Sequence, residues 1–155
     1  MPSGNSAALV LPDEVKEMVN GALAAGTPIL LAAVDAAGRP LLSFRGSTQV
    51  FSDDQLCLWI RNVLGETIEA IRARPGVALM YRSETTPFLR FEGHARVTEN
   101  PDERERVFAS APEREQQADP SKSGHAVVID LDNVEGVLRF TADGPVFCRL
   151  SRTEA

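Results

Sequence analysis

Apolar and polar positions change period several times along the chain, and each change marks an element. After Leu11-Pro-Asp-Glu14, the residues Val15, Met18, Val19, Ala22 and Leu23 recur at helical spacing. Proline suits an early helical position, and the acidic pair suits the positive end of the helix dipole. Gly26 is the expected stop. The pattern then turns β. Pro28 to Val34 is a short apolar run, Asp35 to Gly38 a turn, and Arg39 to Val50 the next strand. Ser52-Asp-Asp54 turns the chain into a third strand, Gln55 to Ile60. Two successive hairpin connections of this kind imply an antiparallel meander.

Helical spacing returns in residues 66–74, with Ile68 and Ile71 on the buried side and Pro75-Gly76 as the stop. Residues 77–82 read as a strand, and 88–97 as a long alternating one. Leu89, Phe91, Gly93, Ala95 and Val97 share one of its faces; Phe88, Arg90, Glu92, His94 and Arg96 share the other. Pro101 opens a helix that runs through Phe108. Residues 111–124 are polar, a second helix and then a loop. Residues 125–140 supply one or two strands and 145–150 the last. The sum is about six or seven strands, mostly in runs, with three or four helices. That pattern predicts a mainly β fold: an antiparallel, closed or partly closed β-barrel with flanking helices. One domain over residues 11–150 is expected, between a flexible tail at 1–10 and a short tail at 151–155.

Within the Arg39–Val50 strand, alternation separates Leu42, Phe44 and Val50 from Ser43, Arg45, Ser47 and Gln49. A mid-strand arginine among hydroxyls has two readings. It is a solvent-facing residue on a half-exposed sheet, or it is an anion site. In the second reading the guanidinium fork suits phosphate. Ser43, Ser47, Thr48 and Gln49 then add neutral hydrogen bonds, and Gly46 lets a ligand close to the backbone. Arg61 and Asn62 leave the strand expected to neighbour that of Arg45. The Gly65 loop and a helix follow, an order that makes a phosphate cradle. Glu66 in the first turn of that helix works against it.

The net charge of -6 argues against nucleic acid or anionic membrane as a broad partner. No apolar run approaches the ~20 residues needed to cross a bilayer, and no secretory signal is evident, so the expected location is cytoplasmic. Cys57 and Cys148 lack metal-type spacing and read as free, mostly buried thiols. His94 and His125 are the only histidines and form no ligand motif, so no metal is expected. Asp130 and Asp132 read as a solvated or strand-edge pair, and Trp59 as core. There is no nucleophile elbow, Walker A loop or dinucleotide fingerprint, and no catalytic residue is named.

The order of segments resembles a known family. Leu31-Ala-Ala-Val-Asp35, Gly38-Arg-Pro40, Leu58-Trp-Ile60, Arg74-Pro-Gly-Val77 and Gly93-His-Ala-Arg-Val97 follow one another across residues 11–138. In order and spacing they are similar to the FMN-binding split-barrel proteins of the pyridoxamine 5′-phosphate oxidase-like superfamily. The resemblance implies an FMN-dependent oxidoreductase acting on a small molecule, a homodimer, and FMN at the dimer interface. It matches Arg45, Arg61 and Asn62 to the family's cofactor-binding positions, with Arg45 and Arg61 pairing with the phosphate. Thr67 stands where the family often has a lysine, with Glu66 beside it. Ser47, Thr48 and Asn62 are the implied partners of the ribityl chain or ring edge. The same barrel also serves two alternatives: a non-catalytic binder of flavin or haem, in which His94 or His125 would matter, and a deazaflavin-dependent reductase.

Overall fold

A computed structural model describes residues 9–61 and 65–152 of the chain. In chain order they form α1 (Asp13–Gly21), β1 (Ile29–Val34), β2 (Pro40–Arg45), β3 (Gln49–Ser52), β4 (Gln55–Ile60), α2 (Glu66–Ala73), β5 (Gly76–Tyr81), β6 (Phe88–Thr98), α3 (Pro101–Ser110), α4 (Glu113–Gln117), β7 (His125–Thr141) and β8 (Gly144–Ser151). All eight strands join one sheet, in the order β2-β1-β5-β6-β7-β4-β3, with β8 added to β7. Every pairing is antiparallel.

That order forces closure. β2 and β3 are the two ends of the path, yet only residues 46–48 separate them in the chain. A flat sheet would hold such ends about 29 Å apart. The link from Arg45 to Gln49 reaches at most about 14 Å. The sheet therefore curls into a barrel. Among the described residues no ladder joins β2 to β3, so the barrel is split along that seam.

The expected meander is corrected here. Residues 39–50 are not one strand: β2 ends at Arg45, and β3 begins at Gln49 on the far end of the sheet. The physical reason is the Ser-Thr pair in the link. Thr48 Oγ1 donates to the Arg45 carbonyl at 2.8 Å, and the Thr48 amide reaches the same oxygen at 3.2 Å, closing a turn. Ser47 Oγ accepts from the Trp59 amide at 3.0 Å and donates to the Trp59 carbonyl at 2.8 Å, stitching the turn to β4.

Burial follows the barrel. Leu56, Leu58 and Ile60 of β4 point inward, to the same core as Leu31, Leu79, Phe91 and Ile129. Cys57 and Trp59 point outward and are covered by Val107 and Phe108 of α3. β4 is thus buried on both faces, which explains its unbroken apolar run. Val15 and Val19 of α1 join the inner core, as do Ile68 and Ile71 of α2. Leu9, within the expected tail, is also buried there. α1 ends at Gly21, before the expected stop, and Gly26 takes a left-handed φ of 75° in the turn that follows. On β6, Gly93 sits at a register shift against β7. A Cβ there would overlap the Asp130 carbonyl oxygen, so only glycine fits.

β2 turns its apolar face outward. The apolar residues Leu42 and Phe44 are 68% and 69% exposed. The polar residues that follow, Ser47, Thr48 and Gln49, are buried. Among the described residues no helix is long and apolar enough to cross a membrane.

Candidate functional site

Arg45 is the last residue of β2, so its side chain projects at the seam. Its Nε donates to Ser43 Oγ at 3.0 Å, and its Nη2 donates to Thr67 Oγ1 at 2.6 Å. Both partners are neutral hydroxyls. Among the described residues Arg45 has no carboxylate within ion-pair distance, so hydroxyls orient the guanidinium while leaving its charge unpaired.

Arg61 arrives from the other side, at the exit of β4. The two arginines therefore converge, but not from paired neighbouring strands as the sequence suggests. β2 pairs with β1, and β4 lies between β7 and β3. The 46–48 turn brings them together: Ser47, two residues from Arg45, is bonded to Trp59, two residues from Arg61. Between them lies a cavity of about 410 Å³, within the range typical of small-molecule sites. Its wall includes Leu41–Ser47, Trp59, Arg61, Gly65, Glu66, Thr67 and Glu115.

Gly65 precedes α2 with φ of 79° and provides no side-chain cap. Among the described residues, the first turn of α2 thus meets the cavity with no side chain capping its N-terminal amides. Burial lowers the pKa of Arg45, and the nearby positive charge of Arg61 lowers it further, while Glu115 opposes them. Two guanidiniums this close repel each other, and an anion between them relieves the repulsion. Two fixed cations, a hydroxyl and an open helix N-terminus suit a phosphoryl group. Glu66 and Glu115 are the opposing charges in the wall.

The Trp59 side of the cavity is held by a latch that the sequence reading missed. Trp59 Nε1 donates to Asp119 Oδ2 at 2.9 Å, and the Gly124 amide donates to the same oxygen at 2.8 Å. Asp119 Oδ1 accepts from the Ser123 amide at 3.1 Å, from Ser123 Oγ at 2.9 Å and from Ser121 Oγ at 3.4 Å. Burial alone would push this carboxyl up; the Trp59 indole and the 123–124 donors pull it down to about 2. The available signal was Asp119-Pro-Ser-Lys-Ser-Gly124, an aspartate followed by turn-forming residues. Trp59 also packs edge-on against Phe108, with ring centroids 4.9 Å apart.

Of the residues expected at the site, the structure brings Arg45, Arg61 and Thr67 to one cavity. Ser47 lines it too, but its hydroxyl is engaged by the Trp59 backbone. Thr48 binds the Arg45 carbonyl and does not line the cavity. Both hydroxyls therefore shape the turn that presents Arg45. Asn62 lies outside the described residues. His94, exposed on β6, pairs through Nδ1 with Asp132 at 2.6 Å, and neither it nor His125 lines the cavity. Asp130 accepts from Gln55 Nε2 at 2.7 Å. Cys57 and Cys148 are free and buried, and burial raises the Cys57 thiol to about 11.

The family model for pyridoxamine 5′-phosphate oxidase matches residues 11–138. Comparison with curated proteins gives no match. Several solved structures share the fold. HupZ of Group A Streptococcus is 17% identical, with 83% of this chain and 94% of that one aligned at a TM-score of 0.63. The General Stress Protein 26 of Bacillus anthracis is also 17% identical, covering 88% of this chain and 99% of its own, at a TM-score of 0.58. An FMN-binding protein from Syntrophomonas wolfei is 11% identical, covering 78% and 84%, at a TM-score of 0.57.

Proposed function

The chain belongs to the pyridoxamine 5′-phosphate oxidase family, and from that premise we propose that it is an FMN-dependent oxidoreductase acting on a small molecule. The observation that carries the reading is the pair of arginines converging on one cavity, with Arg45 oriented by Thr67 at 2.6 Å. Arg45 and Arg61 hold the phosphate, and Thr67 supplies a hydroxyl where related proteins often have a lysine. The open N-terminus of α2 adds backbone donors. Bound there, FMN supplies the electron-transfer chemistry. The chain's part would be to fix the phosphate through Arg45, Arg61 and Thr67 and to offer the rest of the cavity wall to the remainder of the cofactor.

The outward face of β2 supports a homodimer. Leu42 and Phe44 are large, exposed and on an edge strand, and both border the cavity. A second copy laid over this strand would cover the apolar face and close the cavity at the same time.

The test is spectroscopic. The purified protein is expected to be yellow and to release FMN on denaturation. Arg45→Ala is expected to weaken FMN about 10- to 100-fold, the scale of a charge-assisted hydrogen bond, and to leave riboflavin binding unchanged. A colourless protein that does not retain added FMN refutes the reading. Retention of a deazaflavin in its place assigns the site to the alternative cofactor. Reduction of the bound flavin by a nicotinamide donor separates an oxidoreductase from a passive carrier.

A further inference from the structure

The missing side chain at Gly46 does admit an anion close to the backbone, but the anion is the chain's own. A Cβ at position 46 would lie 2.9 Å from Glu115 Oε1. The other oxygen of the same carboxylate is 4.0 Å from Arg61 Nη2. The Glu115 charge also acts on Arg45, opposing the effects of burial and of Arg61. A single carboxylate thus lies against the turn that follows Arg45 and beside the Arg61 guanidinium, with its side chain only 17% exposed.

Its hold there is light. The 4.0 Å contact with Arg61 is a loose ion pair, and Arg61 itself is 46% exposed. Glu115 makes no side-chain hydrogen bond among the described residues. It is carried by α4, a five-residue helix with no buried residue. α4 is tied to the body through Gln116 Nε2, which donates to the carbonyls of Phe108, Ala109 and Ala111. A covered carboxylate with a loose partner, on a short surface helix, is placed to leave when a better anion arrives.

We propose that Glu115 is a built-in stand-in for the ligand's anion: it balances Arg45 and Arg61 in the ligand-free protein, gives way to the incoming phosphate, and thereby sets how strongly the site prefers phosphorylated ligands. The proposal rests on reading this cavity as a phosphate site. It makes Glu115 a specificity-determining residue. While the carboxylate is in place, one of the two positive charges is offset. Only a ligand with a stronger anion than a carboxylate gains by displacing it.

The test compares the wild-type protein with Glu115→Gln, which keeps the shape and removes the charge. Two probes are used: inorganic phosphate, read by thermal unfolding, and FMN against riboflavin, read by quenching of flavin fluorescence. The variant is expected to bind FMN about tenfold more tightly, the scale of removing one partly screened like charge. Its riboflavin affinity is expected to be unchanged. Inorganic phosphate is expected to raise its melting temperature more than that of the wild type. Glu115→Ala should reproduce all three results. Equal responses in both proteins, or weaker FMN and phosphate binding in the variants, overturn the proposal, as does phosphate that stabilises neither. A larger phosphate response in the variants with no FMN binding in any protein supports the role of Glu115 and refutes FMN as the ligand.

Discussion

Replacing Asp119 with asparagine puts an amide where the fold needs two acceptor oxygens. The best the amide can do is keep its oxygen toward the Trp59 indole and the Gly124 amide, and turn its –NH₂ toward the hydroxyls of Ser121 and Ser123. The hydroxyls can rotate to accept, but the Ser123 amide is left without a partner. An unsatisfied buried donor costs about 1–3 kcal/mol, and the part-buried Ser123 amide falls in the lower half of that range, about 1–2 kcal/mol. Loss of charge assistance at the two remaining bonds adds about 0.5–1 kcal/mol each. The expected destabilisation is about 3 kcal/mol, a drop in Tm of roughly 6–12 °C for a chain of this size. Trp59 is the only tryptophan, so urea unfolding followed by its fluorescence reports on the perturbed latch directly.

The same experiment has a pH signature. The folded pKa of Asp119 is depressed to about 2 from an ordinary 3.8. A depressed carboxyl contributes stability above its unfolded pKa and loses it as pH falls toward the folded one. Allowing for solvent screening, about 1 kcal/mol of the wild-type advantage should be gone by pH 3. The gap between wild type and variant should therefore be constant above pH 5 and narrow below it. A loss under about 1 kcal/mol at pH 7, or a gap that does not change with pH, refutes the assignment of Asp119 as a charged latch.

Two further outcomes are expected. Gly93→Ala should cost about 3 kcal/mol or more, or abolish soluble expression, because its Cβ meets the Asp130 carbonyl of the paired strand; denaturant titration measures it, and near-wild-type stability would refute the close approach. Phe44→Asp should convert the proposed homodimer to a monomer in sedimentation analysis by charging the exposed face of β2; a wild-type protein that sediments as one chain, or a mass unchanged by the substitution, would refute that face as a dimer contact.

The elements whose own sequence carries their burial pattern were legible in advance. The β4 run, the alternation along β6 and the Ile68–Ile71 spacing of α2 each reflect a face packed by the same chain. Three features were not. The break at 46–48 escaped because Ser and Thr that bond to backbone look, in sequence, like the polar face of a strand. The outward turn of the apolar face of β2 was not legible because alternation tells two faces apart but not which one turns inward. Glu115 and Asp119 lie in a polar stretch without periodicity, and their importance comes from contacts with β4 and the 46–48 turn, far away in the chain. Arg45, Arg61 and Thr67 were named from the sequence. That Arg45 donates to Thr67 depends on a closure no local pattern encodes.

The position of β7 in the strand order has a kinetic consequence. Without it, β2-β1-β5-β6 is one sheet and β4-β3 a separate hairpin, with no strand pairing between them. Arg45 belongs to the first and Arg61 follows the second. β7 pairs with both β6 and β4, bringing His125 beside Ile60 across a long stretch of chain. Contacts so distant in sequence form slowly and late. Ser47, bonded to Trp59, already holds Arg45 near Arg61 within the 45–61 segment, so what awaits β7 is the barrel that supports them, an order that refolding kinetics of β7 variants would test. A ligand that binds only the finished barrel would stabilise the native state by RT ln(1 + L/Kd), where L is its free concentration, and so by more as L rises above Kd.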